Sequence, residues 1–206
     1  MNLFDKKEYK ASSIHNPVKS KGIIVFLVIS IILLILSFLL DNVLMPYSST
    51  IRIGIFNPFF IFIGAQIGLG LYLALLLIIH FHYQKRQKTA ILLLVILITA
   101  GISILLKYLI ARKRPDLLPL FIKDSYSFPS SHAAIAASTI PFILDKDLGR
   151  KYLKIAILVL AILIILTGYY NGVHYASDVV AGAIIGIIIA LCVKKSSLEF
   201  LHRKQK

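Results

Sequence analysis

Thr89-Ala-Ile-Leu-Leu-Leu-Val-Ile-Leu-Ile-Thr-Ala-Gly-Ile-Ser-Ile-Leu-Leu-Lys107-Tyr-Leu-Ile110 is the stretch on which the fold turns, and it carries no charge before Lys107. A bilayer span needs about 20 mostly apolar residues, so the run reads as a transmembrane helix. The chain on either side is built the same way. Of 206 residues, 58% are apolar and 16% charged, against roughly 25% charged in an ordinary soluble domain. One soluble core cannot hide that much apolar surface. The composition excludes a soluble enzyme, a secreted disulfide scaffold and a disordered chain.

Working outward from Thr89–Ile110, five further apolar segments can be read: Ile23–Leu40, Phe59–Phe81, Ser131–Leu144, Tyr152–Tyr170 and Val179–Val193. The expected fold is all-α: an integral membrane bundle of six transmembrane helices in a single domain, residues 1–206. Within it, 1–22 form a tail, 23–106 the first three spans, 107–178 the polar motifs with spans four and five, and 179–206 the last span and a basic tail. The first run passes into Asp41-Asn-Val-Leu44 without a small-x-small cleavage site, so it reads as an uncleaved anchor. The lone cysteine, Cys192, permits no intrachain disulfide and reads as a small packing residue. Gly64/Gly68 and Gly182/Gly186 have the small-xxx-small spacing of close helix contacts. Ala133, Ala134, Ala136 and Ala137 make the fourth span thin, as a central helix would be.

Charge sets the orientation. The net charge is +14, but the basic residues sit between apolar runs, without the aromatic interleaving of a nucleic-acid surface, so no nucleic acid is expected. With the N-terminus in the cytoplasm, seventeen of the 23 Lys and Arg fall inside and six outside, a clear positive-inside bias. Both termini are expected to be cytoplasmic. His80 and His82 then lie at a cytoplasmic interface. Five of the six outside charges cluster between Lys107 and Lys123, against the prevailing bias. An anionic ligand on the outer face explains this; anionic lipid bound to the loop is the alternative.

Three polar stations fall on that same side. Lys107, Arg114 and Pro115 end the third span; a snorkelling lysine is the plain reading of Lys107, whereas an arginine fork suits phosphate. Pro129-Ser130-Ser131-His132 opens the fourth span. There a serine N-cap and free backbone amides favour an anion. The fourth span covers only about 21 Å, short of the ~30 Å hydrocarbon core, which would sink its outer end to head-group depth. His174 and Asp178, four residues apart, share a helix face. The carboxylate can fix the imidazole's tautomer and stabilise its cation, or Ser177 or Asp178 can simply cap the sixth span.

Together the stations resemble the type 2 phosphatidic acid phosphatase family, the membrane relatives of vanadium-dependent haloperoxidases. That family carries Lys-x6-Arg-Pro, Pro-Ser-Gly-His and Ser-Arg-x5-His-x3-Asp. The first motif is complete at Lys107, Arg114 and Pro115; the second has Ser131 for Gly; the third keeps His174 and Asp178 but has Thr167-Gly168 for Ser-Arg. Arg112 or Lys113, or Asn171 from the same loop as His174, are the candidates to fill the missing phosphate clamp.

The resemblance implies phosphate-ester hydrolysis through a phosphohistidine. His174 is the nucleophile, Asp178 its orienter and His132 the general acid. Lys107, Arg114, Ser130 and Ser131 bind the phosphoryl group, with no metal and no cofactor. The implied substrate is a lipid phosphate or diphosphate, with a polyprenyl diphosphate first, and phosphatidylglycerol phosphate and phosphatidic acid also open. The implied setting is the cell membrane, with the active site facing outside and no obligate protein partner. A lipid phosphotransferase with the same site, or a non-catalytic lipid-phosphate binding or transport protein, is the alternative.

Overall fold

The computed structural model describes residues 17–84, 86–146 and 148–203. Among these, eight α-helices and no strand are found: α1 Pro17–Leu44, α2 Tyr47–Thr50, α3 Asn57–Gly64, α4 Gln66–Tyr83, α5 Arg86–Ile110, α6 Ser131–Ile143, α7 Lys151–Tyr170 and α8 Ala176–Arg203, with a 3-10 turn at Gly54–Phe56. Five stretches are long and apolar enough to cross a membrane: Ile24–Leu44 of α1, all of α4, α5 and α7, and Ala176–Ser197 of α8. Their outer faces are exposed leucine and isoleucine, as at Leu39, Ile78, Leu97 and Ile155. Water would not tolerate such a surface and lipid does. The chain is a multi-pass helical membrane protein.

The expected second span, Phe59–Phe81, is not one helix. It breaks at Ala65, whose backbone is extended (φ −79°, ψ 162°). The start of α4 lies against the end of α3, and Gly68 makes that possible: a Cβ there would sit 2.2 Å from the Phe62 carbonyl oxygen. The break turns the Ala65 carbonyl, which accepts from the Leu69 N–H at 3.2 Å, toward His132 and places Gln66 on the cavity described below.

The short helix α6 is the axis of the bundle. At 13 residues it is about 20 Å long. Residues His132 to Thr139, Phe142 and Ile143 are all buried, packed among α5, α7 and above all α8. The α6–α8 contact is set by two glycines. A Cβ at Gly182 would lie 2.4 Å from the Ser130 carbonyl oxygen, and one at Gly186 2.0 Å from that of Ala134. Both are backbone atoms, so only glycine allows this approach. Outside this centre α1 packs mainly on α8.

Two smaller expectations are corrected. His80 is not interfacial: it is fully buried, with Nδ1 3.0 Å from Thr89 Oγ1. Cys192 is exposed on the outer face of α8 rather than packed.

Candidate active site

At one end of the bundle, three chain turns bring the polar stations together. Helix α5 ends after Ile110 because Ala111 adopts the left-handed conformation (φ 49°), costly for a residue with a Cβ. This swings the basic run Arg112-Lys113-Arg114 away from the helix axis. Helix α6 starts at the Ser130 N-cap, whose Oγ accepts from the Ala133 N–H at 3.5 Å. Helix α7 ends in a Schellman turn. Gly172 is left-handed (φ 73°), its N–H reaches the Tyr169 carbonyl at 3.0 Å, and the Val173 N–H reaches that of Gly168 at 3.1 Å. The His174 N–H shares the Gly168 carbonyl at 3.1 Å. This turn delivers His174 from a rigid frame. Gly168 makes room for its ring: a Cβ there would lie 2.8 Å from His174 Cδ2.

His132 and His174 then line one cavity of about 400 Å³, together with Lys107, Arg114, Ser131 and Lys123. An adjoining cavity of about 700 Å³ shares His132, Ser131 and Lys107 with it. Its floor is apolar, formed by Leu69, Ala100, Ile104 and Ile135. A polar cavity is thus joined to a larger one with an apolar floor contributed by α4, α5 and α6.

His174 is 3% exposed. Its Nε2 is 3.2 Å from Arg114 Nη1, and its Nδ1 is 3.4 Å from Asp178 Oδ2. The second contact lacks hydrogen-bond geometry, so Nδ1 faces the carboxylate without a formed hydrogen bond. Burial pushes the His174 imidazole down to about 3; Asp178 opposes that shift, and Arg114 and Lys107 reinforce it. The ring is therefore neutral at pH 7, with a lone pair for chemistry. His132 Nε2 is 3.4 Å from the Ala65 carbonyl, so the break between α3 and α4 orients the second imidazole.

Asp178 has two tasks. Its Oδ2 accepts from the Tyr175 N–H at 2.9 Å, satisfying a free donor at the start of α8. Its Oδ1 accepts from Arg112 Nη1 at 2.8 Å. Arg112 Nη2 donates to Asp41 Oδ2 at 2.8 Å, and the guanidinium lies over the rings of Phe38 and Tyr175, 5.2 Å and 4.1 Å from the centroids. Asp41 also takes the Ser177 N–H at 3.0 Å and the Ser177 hydroxyl.

The structure brings His132, His174, Lys107, Arg114 and Ser131 to one cavity, with Asp178 behind His174. It does not bring Arg112 there, because two carboxylates hold its guanidinium. Lys113 is exposed and does not line the cavity. Ser130 caps α6 and does not line it either. Asn171 is buried, with its amide nitrogen donating to the Phe60 carbonyl at 3.0 Å. Sequence reasoning missed Asp41, Gln66 and Asp124, and placed Lys123 in the outer basic cluster without giving it a role of its own. The signal for Asp41 was available, since a carboxylate ending an apolar span is expensive unless paired. Among the described residues no three His, Cys, Asp or Glu side chains form a metal-ligating group.

Residues 88–200 match the sequence profile described as the PAP2 superfamily. The chain is 36% identical over 109 residues to phosphatidylglycerophosphatase B of Bacillus subtilis, an alignment covering 49% of this chain and 54% of that protein. It is 36% identical over 81 residues to the bacitracin transport permease protein BcrC of Bacillus licheniformis, covering 37% of each. The chain thus spans about half the length of the first of these curated relatives and little more than a third of the second. Among solved structures, a transmembrane PAP2-type phosphatidylglycerolphosphate phosphatase from Bacillus subtilis superposes with a TM-score of 0.63 at 26% identity, over 82% of this chain and 94% of that one. Aquifex aeolicus LpxE superposes with a TM-score of 0.62 at 25% identity, over 76% and 95%.

Proposed function

The chain belongs to the PAP2 superfamily, and on that premise we propose that it is a membrane-embedded lipid phosphatase working through a phosphohistidine. The observation that carries this reading is the meeting of two imidazoles, Lys107 and Arg114 on one cavity that opens into an apolar one. A phosphorylated headgroup fits the first, and its acyl or isoprenoid chain fits the second.

The neutral His174 attacks phosphorus through Nε2, with Nδ1–H toward Asp178. A P–N bond forms as the P–O bond to the lipid breaks. His132, whose imidazolium the negative charge of the bound phosphoryl group favours, gives its proton to the departing oxygen. A water then attacks the phosphohistidine, passing its proton to His132; phosphate leaves and both rings return to their starting state. Lys107, Arg114 and the first-turn amides of α6 beside Ser131 stabilise the shifting phosphoryl charge. Ser130 holds that turn in shape as its cap. Neither a metal nor a cofactor takes part in this scheme.

We further assign six crossings in a single membrane domain, counting α3 with α4 as one and the short α6 as another, with both termini cytoplasmic. The positive-inside distribution of Lys and Arg supports it, and it turns the site to the extracytoplasmic face. The substrate is a phospholipid phosphate monoester or a polyprenyl diphosphate. The likeness to a Bacillus subtilis phosphatidylglycerophosphatase, in sequence and in structure, favours the monoester. The test is phosphate release by purified protein in lipid nanodiscs, over a panel of lipid monophosphates and diphosphates. Release from at least one is expected. No release from any would leave a lipid-phosphate binder, and release only with an added acceptor would mean a phosphotransferase.

A further inference from the structure

Three cations face the imidazoles, and two are already engaged by the protein. Lys107 Nζ donates to the carbonyls of Tyr126 at 2.7 Å and Ser127 at 3.2 Å. Arg114 is more fully occupied. Its Nε reaches the Ser125 carbonyl at 2.6 Å, and Nη2 reaches Ser125 Oγ at 2.9 Å and the Tyr126 carbonyl at 3.2 Å. Its Nη1 reaches the Val173 carbonyl at 2.6 Å and His174 Nε2 at 3.2 Å. A guanidinium has five N–H donors, so Arg114 has none to spare. It is a strut of the loop as much as a ligand for substrate.

Lys123 differs. It is half-buried and lines the cavity with both histidines. Among the described residues no hydrogen bond or ion pair engages its ammonium, including with the neighbouring Asp124; its described contact is the Phe121 ring, 5.2 Å from the centroid. Burial and then Arg114 push its pKa down to about 8; what sets Lys123 apart from Lys107 is not that shift but its unengaged ammonium on the cavity lining. An ammonium with three donors, held out of bulk water beside another cation, calls for an anion. Gly168 cannot supply a competing side chain, because its Cβ position is filled by the His174 ring.

We propose that Lys123 is the principal phosphate-gripping cation of this site, binding the nonbridging oxygens of the phosphoryl group that faces His174. It does the work for which the third motif offers no arginine. This rests on the lipid-phosphatase reading for its biological meaning, but the anion site can be measured without turnover.

The experiment uses the full chain in nanodiscs, with Lys123→Ala, Lys123→Gln and Lys123→Arg. Inorganic phosphate is the probe, read by its stabilisation against heat, and dioctanoyl phosphatidic acid is the substrate for release. Removing a charge-assisted contact should raise the phosphate concentration for half-maximal stabilisation at least about tenfold in the Ala and Gln variants. Lys123→Arg should retain most of the wild-type response, which a merely structural loss would not predict. Wild-type phosphate response in either neutral variant overturns the proposal, as does an Arg variant no better than Gln. If the wild type binds phosphate through Lys123 but releases none from lipid, the anion site stands and the phosphatase reading falls. If release is normal in the neutral variants, the phosphatase stands and the role of Lys123 falls.

Discussion

Asp41 tests whether the first helix belongs to the chemistry. The carboxylate is 4% exposed; it is joined to Asp178 through Arg112, by two contacts of 2.8 Å each, and it also holds the adjoining Ser177 by its N–H and hydroxyl. In Asp41→Asn the shape is kept and the charge removed. Arg112 then keeps Asp178 as its single anionic partner, with Ser177 Oγ also accepting from Nη1 at 2.6 Å. Breaking a fully buried ion pair costs about 3–5 kcal/mol, but the Arg112 side chain is 24% exposed, so solvent offsets part of the loss. A charge-assisted hydrogen bond of roughly 1.5–3 kcal/mol is the fitting scale. If that energy holds Asp178 in position during phosphoryl transfer, kcat falls by about 10- to 150-fold. KM should change little, because Asp41 does not line the cavity.

The assay is initial phosphate release against lipid phosphate concentration, below the melting temperature of both proteins, with melting followed in parallel. A fall in kcat at constant KM, in a protein still folded at the assay temperature, is the expected signature of positioning. A variant that melts earlier but turns over normally makes Asp41 a structural anchor only. Wild-type values for both would refute the Asp41–Arg112–Asp178 arm altogether.

Three other outcomes follow from the same geometry. His174→Ala should abolish phosphate release while the protein still folds, whereas Asp178→Asn should retain partial activity; near-normal turnover without His174 would exclude it as nucleophile. Gly186→Val forces a side chain against the Ala134 carbonyl, 2.0 Å from the Cβ position, and should cost about 1–3 kcal/mol of stability, seen as a lower melting temperature. Because burial lowers the His174 imidazole to about 3 while an unfolded histidine titrates near 6.5, the unfolded chain binds the extra proton first. Its contribution should therefore weaken folding as pH falls from about 6.5 toward 3. His174 faces Asp178, Arg114 and Lys107, and none of these should reverse the sign; the acid loss should shrink in His174→Ala, and an unchanged loss would assign it to other groups.

The helices and the site were legible to different degrees, for physical reasons. The runs that became α5, α7 and α8 announce themselves by uninterrupted apolar length, and the histidines by their spacing to Asp178 and Pro129. The shortness of α6 was visible because its polar start is bounded by Pro129. The break at Ala65 was not, since no proline marks it and it depends on α3 lying against α4 at Gly68. Asp41 meets Arg112 across 71 positions of chain, a pairing that no local pattern encodes. Within Arg112-Lys113-Arg114, sequence cannot say which cation faces the cavity, because the left-handed turn at Ala111 sets that division. Lys123 belongs to no motif. It stands out only once the donors of its neighbours are traced.

The arrangement of charge settles a conflict inherent in this chemistry. Orienting His174 calls for a carboxylate beside it, yet a carboxylate at the mouth of a phosphate site repels the ligand. Here Asp178 is fully buried behind the imidazole, and its outward oxygen is matched by Arg112. Arg112 is balanced in turn by Asp41, so the arm of two carboxylates and one arginine carries its charge on the side of His174 away from the cavity. The cavity itself is left to Lys107, Arg114 and Lys123, with Asp124 as the acid on its lining. Low dielectric strengthens both halves of that division. On the proposed phosphatase reading a phosphoryl group there meets mostly cations, although a carboxylate lies within 3.4 Å of the His174 ring. Arg112 serves an anion after all, but by offsetting one of the two carboxylate charges of the protein's own arm rather than by lining the cavity.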